Sequence, residues 1–177
     1  MSVARIDKWQ NTAGVNYNNV LQTVSRTATL PYAISVTTNT RYPYPGEELL
    51  IKIKPFSYTS KFLIMASISI GNNSNDAGIV LTRNSNPINI PAQQSSRLRL
   101  SAVYGFMNGA ANGDHTCHTL TTTYLDSPRS SGIIRYNVDL VTEGGGMYIN
   151  RATNYANATQ VYNMTFCSTL TVMELAQ

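Results

Sequence analysis

The chain has 177 residues and a formal net charge of +4, with 42% hydrophobic and only 12% charged residues. That length suits one domain with a short extra segment, and a charged fraction about half the usual one excludes a disordered polyelectrolyte, leaving a surface of Asn, Thr, Ser and Tyr. The 13 Lys and Arg residues are scattered, densest at Arg97 and Arg99, which falls short of the basic stripe of a nucleic-acid site.

The N-terminus, Met-Ser-Val-Ala-Arg-Ile-Asp-Lys-Trp, lacks the basic-then-apolar order of a secretion signal, so synthesis in a cytoplasm is expected. No apolar run approaches the ~18 residues of a membrane helix, and no membrane insertion is expected. Residues 1–25 read as a lead-in segment with the single tryptophan, Trp9, and a turn signal at Asn11–Gly14. Trp9 is the candidate attachment residue, because tryptophan buries a large area for few rotors; equally, it could cover one end of the domain's own core.

From residue 26 onward the chain reads as strand, turn, strand, a pattern of antiparallel β-sandwich or jelly-roll type. Val20–Leu30 alternates imperfectly, and Ala33–Thr38 is β-branched. Leu49, Ile51 and Ile53 oppose Lys52 and Lys54. Between Phe62 and Ile70 the even positions are apolar and the odd ones end in serines. Ala77–Arg83 is a weaker candidate. Leu98, Leu100, Ala102, Tyr104 and Phe106 oppose Arg97, Arg99 and Ser101, predicting a strand there. Thr116–Leu125 is threonine-rich, with Leu120, Thr122 and Tyr124 on one face and Thr121, Thr123 and Leu125 on the other. Ile134, Tyr136, Val138 and Leu140 oppose Arg135, Asn137 and Asp139; Met147–Arg151 is short, and Phe166–Leu175 closes the chain. Turn clusters separate these runs, and Gly144–Gly146 is expected to be a hairpin.

Candidate chemistry is sparse. Asp126-Ser127-Pro128 could suggest an acid and a nucleophile, but no Gly-x-Ser-x-Gly elbow surrounds it, and each residue type there has a turn-making reason to be present. An enzyme is not expected, nor is a bound cofactor. In Asp114–His118, His115 and Cys117 would share one face of a strand while His118 points away, so one chain does not close a tetrahedral metal site. Three copies of His115 around a trimer axis are the weak metal candidate. Cys117 and Cys167 are expected to be reduced, buried thiols; a disulfide would need their strands to be neighbours. Among the 11 tyrosines, Tyr32, Tyr42, Tyr44 and Tyr58 lie at or near turns. They are the candidates for subunit interfaces, where tyrosine is enriched and Lys and Glu are depleted, or for loop contacts, where tyrosine with Asn and Ser makes adaptable contacts.

Five stretches carry a resemblance: "YNNVLQTVSRT", "KIKPFSYTSKFLIMASI", "LTTTYLDSPRSSGIIRYNVDL", "GGGMYINRA" and "STLTVMELAQ". Together they resemble the fibre-type β-sandwich proteins of tailed bacteriophages, those of cyanobacterial phages above all, from about Val20 to Leu175. "DKWQNTAGVNYNNVLQ" resembles the lead-in found there. The resemblance implies a non-enzymatic homotrimeric component of the virion's outer surface, made in the host cytoplasm, as a fibre or as a decoration of capsid, collar or tail. The partners implied are other copies of the chain and other virion proteins reached through the N-terminal segment. The alternative is a lectin-like tail-fibre domain that recognises host-surface glycans. The "HTCH" string maps onto no feature of that family.

Overall fold

The longest hydrophobic alternation in the sequence builds the longest strand. The computed structural model describes residues 20–35, 39–72, 76–104, 117–143, 146–152 and 164–176. In it β5 (Lys61–Asn72) buries Phe62, Ile64, Ala66, Ile68 and Ile70 along one face. Successive side chains of a strand point to opposite sides, so the intervening positions face outward.

β5 is the spine of the first of two six-stranded antiparallel sheets. Along one side it pairs first with β12 (Ser168–Leu175), which carries β1 (Val20–Ala28) at the sheet edge. Farther along that side it pairs with β11 (Gly146–Ile149), which carries β2 (Tyr32–Ser35). On its other side β5 pairs from Phe62 to Ile70 with β9 (His118–Asp126).

β6 (Ala77–Arg83) and β10 (Ile134–Thr142) pair at the centre of the second sheet. β10 is flanked by β3 (Tyr42–Pro43) and β4 (Ile51–Ile53), and β6 by β7 (Asn86–Ile88) and β8 (Ala102–Tyr104). The chain passes between the sheets at β2–β3, β4–β5, β5–β6, β8–β9, β9–β10 and β10–β11, a jelly-roll-like antiparallel sandwich. Between the sheets, the inward positions of β5, β12 and β11 meet Ile79 and Leu81 of β6 and Ile134, Tyr136, Val138 and Leu140 of β10. Each fully buried Ile or Leu contributes about 1.5–3 kcal/mol.

Several expectations change. β1 begins at Val20, so residues 20–25, counted above with the lead-in, are already part of the sheet. Among the described residues the strand expected from Leu98 to Phe106 is formed at Ala102–Tyr104, and Arg97–Leu100 is not extended ladder; Gly105 and Phe106 lie outside the described residues. The cause is Ser101. Its N–H donates to the Ile79 carbonyl, and its hydroxyl accepts from the Leu81 N–H and donates to the Ile88 carbonyl. The chain before it therefore leaves the sheet plane and runs over the outer face as a strap. Leu100 lies on Gly78, where an added Cβ would meet Leu100 Cδ1 at 2.6 Å and the Ala102 carbonyl at 3.0 Å. That cover explains why β6, the weaker strand candidate, is buried on both faces from Ala77 to Thr82. Gly144–Gly146 is not a hairpin either, because β10 and β11 lie in different sheets; Gly144 and Gly145 themselves are outside the described residues.

Asn150 ties the strand ends together. It holds a left-handed backbone (φ 57°) and is fully buried. Its Nδ2 lies 3.0 Å from the Ala28 carbonyl, 3.1 Å from the Leu30 carbonyl and 3.0 Å from the Tyr44 hydroxyl. Its Oδ1 accepts from the Ser168 hydroxyl, which in turn accepts from the Ser69 N–H. A buried amide left without these partners would cost about 1–3 kcal/mol, so the cluster locks β1, β5, β11 and β12 into one register.

Candidate interaction surface

Asp126 closes β9 with its side chain turned inward rather than capping a turn. Arg83 Nη1 donates to its two carboxylate oxygens at 2.7 and 2.9 Å, and the Tyr136 hydroxyl donates to Oδ2 at 2.7 Å. The carboxylate thus bridges the two sheets. Burial, and then the bond to Asp126, push the Tyr136 hydroxyl well above its usual pKa. Ser127 is exposed beyond the end of the strand, and the chain turns through residues 127–133.

His118 stacks on Tyr104 with ring centroids 3.6 Å apart, and burial lowers its pKa. Its Nε2 is buried without a hydrogen-bond partner. Cys117 is half-buried, and burial pushes its thiol up to about 11. Cys167 is exposed, contrary to the expected buried thiol. The two cysteines adjoin β9 and β12, which flank β5 on opposite sides. Two strand spacings, about 9.6 Å, exceed the reach of a disulfide. Both thiols are free. Trp9 and His115 lie outside the described residues.

The four tyrosines separate. Tyr44 is 2% exposed, its hydroxyl pushed up to about 12 by burial, so it is a core residue and cannot serve as a surface contact. Tyr32 and Tyr42 are partly buried and pack on the core. Tyr58 is 57% exposed, beside Phe56 at 73%, on the loop between β4 and β5. Glu174 pins that loop: its carboxylate accepts from the Phe56 N–H at 2.7 Å and from Gln22 Nε2. Burial pushes the Glu174 carboxyl up, but these hydrogen bonds outweigh it and hold the pKa below the usual value.

The outer face of the first sheet has a composition no single strand reveals. Register places Thr23, Met173, Leu63 and Leu125 in one row across β1, β12, β5 and β9. The next row is Ser25, Thr171, Met65 and Thr123, and the third is Thr27, Thr169, Ser67 and Thr121. None of these side chains is charged. Ser25 and Thr171 are hydrogen-bonded across the strands at 2.8 Å. Strand spacing near 4.8 Å and a rise near 3.3 Å per residue make this plane about 19 by 20 Å. Its projected area is roughly 380 Å² per chain, corrugated by side chains. Two such faces together give about 760 Å², most of the ~1,000 Å² floor of a specific interface.

The sequence held the parts of this face but not their assembly. Thr121, Thr123 and Leu125 were legible as one side of a strand, and Phe166–Leu175 as the strand that closes the chain. That both strands flank β5, with β1 beyond, depends on a pairing order that periodicity does not encode.

No protein-family model matches the chain, and no curated protein matches it in sequence. Among solved structures the chain is similar to that of infectious bursal virus derived T=1 particles, at 9% sequence identity and a TM-score of 0.38. The match covers 100% of this chain and 41% of that one, so the chain spans less than half of that protein's length.

Proposed function

We propose that the chain is a non-enzymatic structural subunit of a virion surface that assembles with copies of itself, as a homotrimer, through the outer face of the first sheet. The observation that carries this reading is the absence of charge from the three rows across β1, β12, β5 and β9. With this face turned toward a threefold axis, the side chains nearest the axis meet their own copies, so a Lys or Glu there would face like charges. Threonine, serine, leucine and methionine meet their copies without that cost, and depletion of charge marks the cores of subunit interfaces. The phage-like sequence strings support placing the assembly on a virion, and Trp9 is the residue assigned to attachment.

Electron cryomicroscopy of the intact particle tests the placement. The sandwich should occupy surface density on capsid, collar or tail, three copies to a site, with the first sheet turned toward the local axis. Particles whose outer density is fully accounted for by other chains contradict the proposal.

A further inference from the structure

Two recesses of about 520 and 300 Å³ share Lys52, Ser85 and Arg135 on their linings, and so form one groove across the outer face of the second sheet. At its waist Lys52 of β4 and Arg135 of β10 are direct cross-strand partners, both exposed. Like charges placed opposite each other on one sheet face destabilise it. Neither cation has an ion-pair partner among the described residues, and Glu47, the carboxylate on the lining, stays outside ion-pair distance of both.

The surroundings hold this unfavourable pair in place. Asn84 Oδ1 accepts from the Arg135 N–H at 2.9 Å, and the Asn84 N–H donates to the Arg135 carbonyl at 2.8 Å. Asn84 and Ser85 turn the β6–β7 hairpin with φ of 50° and 67°. Glycine relaxes the second position of such a turn, yet here a hydroxyl is kept at the groove. Two residues along β10, Asn137 lines the larger recess with its Oδ1 buried and without a partner.

We propose that this groove binds an oxyanion, a carboxylate or a phosphate or sulfate ester, carried on an extended polar ligand. The anion sits between Lys52 and Arg135, where it turns their repulsion into two attractions. The planar guanidinium offers two parallel donors and the ammonium a point charge. Ser85 and Asn137 supply hydrogen bonds to the neutral part of the ligand. The groove lies on the sheet opposite the self-assembly face, so the proposal stands whether or not the chain is a trimer.

Titration of the full chain with inorganic phosphate and, separately, with a galacturonic acid oligomer, followed by NMR shifts or calorimetry, tests it. Saturable binding of either probe is expected, and which one binds identifies the source of the anion. Arg135→Gln and Lys52→Gln should each weaken it about tenfold or more, as expected for loss of a charge-assisted bond. Arg97→Gln, at a cation outside the groove's lining, should leave it within about twofold. Lys52→Glu should abolish binding while raising the thermal midpoint by up to about 4 °C, because the cross-strand pair becomes attractive. The proposal is overturned if neither probe saturates, including the case in which only an acidic peptide or single-stranded nucleic acid binds. Equal weakening by Arg97→Gln overturns it too, since that marks diffuse attraction to a basic protein.

Discussion

Asp126 shows how a residue's neighbours in sequence can mislead about its role. Beside Ser127 and Pro128 it has the composition of a turn, and the turn is there. The carboxylate nevertheless points inward to Arg83 and Tyr136, residues whose approach depends on the packing of two sheets. Asp126→Asn leaves Arg83 without its counter-charge and Tyr136 with a weaker acceptor. Because Arg83 is partly exposed, the expected cost is about 2–3 kcal/mol, toward the low end for a broken buried pair, read as a lower urea midpoint with unchanged slope. Glu174 makes a pH-dependent counterpart. Its folded pKa lies below the unfolded value near 4.3, so its contribution is present above that pH. That contribution is lost as pH falls through the folded pKa. Wild type should therefore lose stability on acidification below about pH 4 more steeply than Glu174→Gln, in thermal melts across pH 2–6. At this scale the sequence displayed the acids but not their partners, since Glu174 reaches Phe56 across 118 positions.

The strands with clean alternation on both faces, β5 and β10, were legible down to which side chains enter the core. Legibility failed where a second layer covers the sheet. β6 is buried on both faces because the strap before Ser101 lies over it, and a covered strand loses the period-two signature that an open face leaves. The same strap misled at Arg97–Leu100, where alternation is present but no ladder forms. Ser101→Ala tests the explanation. It removes the acceptor of the Leu81 N–H and the donor to the Ile88 carbonyl, leaving a buried amide unpaired. The expected cost is about 1–3 kcal/mol, accompanied by faster hydrogen exchange at the Leu81 amide. Unchanged exchange there would mean that the strap is held by Leu100 on Gly78 instead.

For the whole molecule, the low charge fraction was informative from the start, but it could not say where the uncharged surface lies. Pairing order gathers it: four strands distant in sequence bring three rows of Thr, Ser, Leu and Met into one plane on the first sheet. Exposed cations, by contrast, occupy the groove of the second. The two outer faces thus have opposite chemistry, one suited to copies of the chain and the other to an anion. The most direct measurement of the central claim is the solution mass of the purified chain, by light scattering over a dilution series, beside that of Met65→Lys. Met65 sits at the middle of the uncharged plane, and the lysine would meet its own copy across the axis while disturbing no core contact. The account predicts three times the chain mass for wild type, and a monomer of nearly unchanged melting temperature for the variant. A wild-type monomer at micromolar concentration, or a Met65→Lys chain that remains trimeric, would contradict it.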